Sequence, residues 1–146
     1  MDDDTPAAPR PPIAPAVRHG DLLITSGQTA IDADGQLIAV GRVGREVAFD
    51  VARRCAARCA DNVLAVARHS ARDEGTELAR LLEVRVFVAC GAEFTDQHLV
   101  ADAATAVLLT ELGEERGRHA RTAVGVPALP GGSPVEVQAT FALTAR

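Results

Sequence analysis

Residues 45–72, REVAFDVARRCAARCADNVLAVARHSAR, constrain this chain more than any other stretch. The segment holds no glycine or proline and many alanines. Val47, Val51, Cys55, Cys59, Val63 and Val66 recur at spacings of three and four, while Arg53, Arg54, Arg58, Asp61 and Arg68 fall mostly elsewhere. That period belongs to a long amphipathic helix, and Gly75 just beyond it is a stop signal. On either side the period changes. LLITSG at 22–27 is a short apolar run ending in a turn, and IDADG at 31–35 reads as another turn. Its Asp34-Gly35 pair predicts a hairpin partner strand at about 36–40. LLEVRVFVAC (81–90), HARTAVGV (119–126) and VEVQATFAL (135–143) all alternate as half-buried strands do. A second helix is predicted from Thr95, as its cap, to Leu112, with Leu99, Ala103, Ala106, Val107 and Leu109 on its apolar face and Gly113 closing it. The predicted order is β-β-α-β-α-β-β. Such a chain is α+β, with two helices covering one face of a mixed sheet. The other face is left open, and an open apolar sheet face invites self-association.

Composition narrows the chemistry. At 146 residues and 47% hydrophobic content the chain can bury one core, expected as a single domain over 13–146. Residues 1–12 are acidic and then proline-rich, and are expected to form a flexible tail. No run approaches the ~20 apolar residues that span a bilayer, and the acidic start is unlike a signal peptide. A cytoplasmic protein without a membrane partner is expected. Net charge is −5 and the arginines alternate with acids, so a nucleic-acid partner is not expected. All 15 basic residues are arginine, which excludes Schiff-base, pyridoxal-phosphate and P-loop lysines. Tyrosine and tryptophan are absent too, removing phenolic acids and indole platforms. Cys55 and Cys59 would share a helix face, but no paired Cys/His motif accompanies them. With Cys90 they read as small buried thiols, so neither a metal nor a cofactor is expected.

HARTAVGV is the strand with unusual chemistry. His119, Arg121, Ala123 and Gly125 point to one face, and Ala120, Thr122, Val124 and Val126 to the other. A guanidinium presents a planar fork that fits a carboxylate, and Ala123 and Gly125 would leave room for a ligand. Two readings stay open from position alone. Arg121 grips a ligand, or it pairs with Glu136 of the neighbouring strand. His119 is likewise open between a base and a packed side chain.

Several motifs together are similar to one family. ITSGQ at 24–28, FV at 87–88 with Phe94 after it, ARTAVGVPALP at 120–130 and PVEVQA at 134–139 resemble the Rid family of reactive-intermediate deaminases, also called endoribonuclease L-PSP or translation-inhibitor proteins. The resemblance implies a chorismate-mutase-like α+β fold and a homotrimer with a ligand cleft at each subunit interface. It implies hydrolysis of a small imine or enamine bearing a carboxylate, to a carbonyl compound and ammonia. Arg121 takes the place of the arginine that grips the substrate carboxylate, and Ser26 that of a hydroxyl near the ligand. An asparagine of the deaminase branch falls at His98, a cysteine at Ala123, a tyrosine near Ala16 and a last-strand glutamate at Gln138. Gln138 is an amide and cannot take a proton from water. His119 and His98 are then the titratable candidates, and Glu136, on the same face as Gln138, is a further proton acceptor. Two other functions fit the same residues: a non-catalytic trimer binding a carboxylate metabolite or a protein partner, and an enzyme repurposed to a pathway-specific intermediate through an altered pocket.

Overall fold

The computed structural model describes residues 9–144. Most of the expected tail, residues 1–8, lies outside the described residues; residues 9–12 are exposed and without regular structure. The chain runs β1 (Ala16–His19), β2 (Leu22–Thr25), β3 (Gln28–Thr29), α1 (Phe49–Asp73), β4 (Leu78–Ala89), α2 (Gln97–Leu112), the short α3 (Glu114–Gly117), β5 (Ala120–Val126), a 3-10 turn at Pro130–Gly132, and β6 (Val135–Leu143). The sheet is ordered β1-β2-β6-β4-β5, with β3 pairing β6 beside β2. Only β4 and β5 are parallel, joined by the α2 crossover, so the sheet is mixed.

Both long helices pack on one face of that sheet and against each other. Leu23, Val84, Val86, Val88, Val135, Val137 and Phe141 meet Ala52, Cys55, Ala56, Cys59, Val63 and Leu64 of α1 and Val100, Ala104 and Leu108 of α2 in one continuous core. Each fully buried Leu, Val or Phe in it contributes roughly 1.5–3 kcal/mol relative to exposure. Alternation in β6 is strict: Val135, Val137, Ala139, Phe141 and Leu143 are buried, and the residues between them are half-buried on the opposite face. No helix among the described residues is long and apolar enough to cross a membrane.

Three local expectations are corrected. Residues 36–40 form no strand. Asp32 organises a tight turn, its Oδ1 accepting from the N–H groups of Asp34 (2.9 Å) and Gln36 (3.0 Å), but only an isolated Ile31–Leu37 bridge follows. The neighbours of β2 are already β6 and β1, the latter joined by a two-residue turn in which Gly20 sits at φ +59°. The first helix starts at Phe49 and not at Arg45, because residues 42–47 close a tight loop in which Gly44 N–H donates to Val47 O (2.9 Å) and Val47 N–H to Arg42 O (3.1 Å). The second helix turns a different face inward. It buries Val100, Ala101, Ala104, Leu108 and Leu112, leaving Leu99 38% exposed. Beside His98, its only ionisable side chains are Asp102 and Glu111, too few to fix the phase of an apolar stripe. Asp96, not Thr95, occupies its N-cap position, without a side-chain capping bond.

The opposite sheet face has no cover among the described residues. Val17, Ile24 and Val124 are 58%, 45% and 40% exposed there. Glu83, Arg85 and Phe87 lie on this face too, each opposite a β6 residue of the same face: Thr140, Gln138 and Glu136.

Candidate active site

β5 is an edge strand, and Arg121 pairs in register with buried Val84, so its side chain rises on the helix-covered face toward α2. The guanidinium is held from three sides. Nη1 donates to Asp102 Oδ1 (2.9 Å) and to Thr105 Oγ1 (3.1 Å), and Nη2 donates to the main-chain oxygen of His98 (3.2 Å). An arginine has five N–H hydrogens. Nε–H and one hydrogen on Nη2 have no partner among the described residues and sit on adjacent nitrogens of the fork, which is the number a bidentate carboxylate accepts. Asp102 stands half-exposed beside the cation and offsets part of its charge.

His119 lies one turn of strand away. Its Nδ1 is 2.6 Å from Gly117 O, and its Nε2 is 3.1 Å from Thr105 Oγ1. Thr105, Leu109, Arg118, His119 and Arg121 line a shallow groove of about 190 Å³. His98, a titratable candidate from sequence, stands next to Arg121 but contributes a carbonyl; its ring is exposed and forms no hydrogen bond among the described residues. Ala123 follows Arg121 on the same face and is half-buried. Gly125 borders a cavity of about 300 Å³ lined also by Cys90, Phe94, Gln97 and Val126, but leaves no space for a side chain of its own. A Cβ there would come within 2.8 Å of both Cys90 Sγ and Gln97 Nε2. Gln97 opens α2 and donates to Phe94 O (2.7 Å), so it has little freedom to retreat. Gly125→Ala is therefore expected to destabilise by about 1–3 kcal/mol, read as a fall in Tm of roughly 3–10 °C.

Glu136, Gln138 and Ser26 belong to a second cluster. β4 separates β5 from β6, and Glu136 pairs in register with Phe87 on the uncovered face. Arg121 and Glu136 of one chain thus lie on opposite faces of the sheet. The pairing between them that strand adjacency suggested does not form, and Asp102 takes that place. The Glu136 carboxylate lies over Gly27, where a Cβ would fall 2.1 Å from Oε1. It forms no hydrogen bond or ion pair among the described residues, and burial raises its pKa above the ordinary carboxylate value. Ser26 heads the same loop. Its hydroxyl donates to Ala14 O (2.7 Å) and its N–H to Pro15 O (2.8 Å), which fixes the backbone that carries Gly27. Gln138 shares the Glu136 face, opposite Arg85, whose Nε donates to Glu83 (2.9 Å).

The cysteines lie elsewhere. Cys55, Cys59 and Cys90 are free and buried; burial pushes the Cys59 thiol well up, and it donates to Val135 O (3.4 Å). No group of three or more His, Cys, Asp or Glu side chains among the described residues has the arrangement to hold a metal. Asp102 and Thr105 were not singled out from sequence. The signal was a polar face running His98, Asp102, Thr105 at i, i+4 and i+7.

Comparison with known proteins agrees with this fold and these motifs. A family model described as Endoribonuclease L-PSP matches residues 5–143. The chain is 35% identical over 137 residues to protein TCP17 of Trypanosoma cruzi, covering 94% of this chain and 84% of that one. It is 31% identical over 143 residues to the RutC family protein y4sK of Sinorhizobium fredii, covering 97% and 94%. Among solved structures, that of Atu1372 from Agrobacterium tumefaciens, a protein of unknown function, is similar with a TM-score of 0.82 and 38% identity over 90% of this chain and 82% of that one. The family match spans nearly the whole described sheet and both helices, so this chain belongs to the endoribonuclease L-PSP family, the Rid family that its motifs resemble.

Proposed function

We propose that the protein hydrolyses a small imine or enamine bearing a carboxylate, to a carbonyl compound and ammonia, in a cleft between two copies of the chain. The observation that carries this reading is the state of Arg121: fixed by three partners, yet with two adjacent N–H groups free to take a carboxylate. One chain cannot bring Arg121 and Glu136 to a common ligand, since the sheet lies between them. A second copy seated on the uncovered face can, and the exposed Val17, Ile24 and Val124 give that face a reason to be covered. The family resemblance supports a homotrimer for this assembly, and cytoplasmic residence belongs to the same proposal.

The chemistry needs little machinery. With Arg121 holding the carboxylate, the electrophilic carbon of the protonated imine is presented to water. Glu136 takes a proton from that water as its oxygen bonds to carbon, and the C=N π pair moves to nitrogen. The protonated carboxyl returns the proton to the amine, the C–N bond breaks as ammonia leaves, and the hydroxyl proton passes to the Glu136 carboxylate and on to ammonia, giving the carbonyl and ammonium. A carboxylate whose pKa is raised by burial is suited to both halves of this transfer, and the amide of Gln138 to neither. Glu136, not Gln138, therefore carries the base role in this proposal. A net charge of −5 argues against a polyanionic substrate.

The test is ammonia release from 2-imino acids generated in situ by an amino-acid oxidase. Release well above the uncatalysed rate is expected for at least one small side chain. A rate equal to the uncatalysed one across a series of side chains would overturn the proposal in favour of a metabolite-binding assembly.

A further inference from the structure

We infer that His119 and Thr105 are positioning residues that aim Arg121, and that His119 does not act as the base. This deepens the proposed function and rests on Arg121 being the carboxylate clamp. Gly117 O is a carbonyl and only accepts, so His119 Nδ1, 2.6 Å away, is the nitrogen that carries hydrogen. In the neutral ring Nε2 is then an acceptor, and its neighbour at 3.1 Å is the Thr105 hydroxyl. That hydroxyl has one hydrogen, given to Nε2, and its oxygen accepts from Arg121 Nη1 at 3.1 Å. Each group in the series has one role: Arg121 donates to Thr105, Thr105 donates to His119, and His119 donates to Gly117.

The far end of the series is anchored. Gly117 is buried, and a Cβ on it would meet Leu108 O at 3.0 Å and the Leu109 Cα at 3.1 Å, so its backbone is pressed against α2. Its carbonyl is a fixed point from which the imidazole, the hydroxyl and the guanidinium take their orientation in turn. The consequence for Arg121 is specific. Thr105 and Asp102 together occupy both Nη1 hydrogens, which leaves Nε–H and Nη2 as the only pair open to a ligand. A base at His119 would need a free Nε2, and that atom is occupied.

Two kinds of measurement test this. The first compares Thr105→Val, Thr105→Ser, His119→Ala, the Thr105→Val/His119→Ala double variant and Arg121→Ala. For each, KM and kcat are measured for imino-acid hydrolysis and Kd for pyruvate, an unreactive 2-oxo acid, by calorimetry. Thr105→Val and His119→Ala are each expected to raise KM and Kd about five- to tenfold with kcat within about twofold, as loss of one neutral hydrogen bond predicts. Thr105→Ser should restore wild-type values, and the double variant should be no worse than Thr105→Val, because the two act in series. A fall in kcat of a hundredfold or more in His119→Ala with unchanged KM would overturn the inference by making His119 catalytic. Unchanged KM and Kd in Thr105→Val, with binding abolished in Arg121→Ala, would overturn the relay and leave the clamp standing. Pyruvate binding unaffected in Arg121→Ala would instead remove the clamp itself. The second measurement, nitrogen NMR of the intact wild-type protein, does not depend on variants folding. It should show His119 as the Nδ1–H tautomer; an Nε2–H tautomer would overturn the inference.

Discussion

Arg121→Ala is expected to raise KM for a carboxylate-bearing imine by about 10²–10³-fold, while Tm falls by only about 2–6 °C. The two halves of this expectation have different origins. Removing a guanidinium that would form two charge-assisted bonds to a ligand in a cleft forfeits a few kcal/mol of binding. Its loss from the empty protein removes one partly exposed ion pair with Asp102, of a kind worth ~0–1 kcal/mol, and the hydrogen bonds to Thr105 and His98 O. Arg121→Lys should not rescue. An ammonium is a point donor that cannot meet Asp102, Thr105 and His98 O while still offering two parallel bonds outward. Steady-state kinetics beside a melting curve check both halves. A KM within threefold of wild type in Arg121→Ala would remove the arginine from substrate recognition.

Glu136→Gln should lower kcat by about 10²–10⁴-fold, the usual worth of a positioned acid–base group, with KM little changed. Stability should move the other way. Burial places the Glu136 pKa above its unfolded value. A carboxyl so shifted contributes its full stability below the unfolded pKa, where both states hold the proton, and loses that contribution as pH rises through the folded pKa. At pH 7 the folded chain therefore keeps a half-buried charge with no partner among the described residues, and the isosteric amide removes that cost. A rise in Tm of about 1–2 °C at pH 7 and none near pH 4 is expected, a modest figure because solvent reaches much of the side chain. Turnover retained in Glu136→Gln would move the base role to another residue.

The parts of this structure that were legible in sequence are those where one period dominates. β6 occupies 135–143 as its alternation predicts, and Val47, Cys55, Cys59 and Val63 all enter the core. The failures in the sheet share one physical cause: short-range pattern says nothing about which strands become neighbours. Asp34-Gly35 did make a turn, but the partner that β2 needed came from β1, four residues long and close after Pro15, announced only by Gly20. β5 and β6 adjoin in the chain, yet β4 lies between them in the sheet, so a pairing of Arg121 with Glu136 that looked natural in sequence is impossible within one chain. Arg121 itself was found because a lone cation among small strand residues is conspicuous. Asp102 and Thr105 escaped notice because the apolar stripe of α2 was placed on the wrong side, around Leu99 instead of Val100 and Ala104, which hid the polar face running from His98 through Asp102 to Thr105.

The crossover from α2 to β5 has a consequence for how such a protein diversifies. His98, Asp102, Thr105, Gly117, His119 and Arg121 all come from one unbroken piece of chain, 98–121, and this piece holds everything that aims the clamp. Glu136 and the loop at Gly27 that it overlies come from two distant parts of the sequence joined only through the sheet. On the proposed assignment, the choice of substrate and the bond-breaking step are written in separable modules. If that assignment holds, exchange of a single contiguous cassette would change the ligand while leaving the proposed proton acceptor in place.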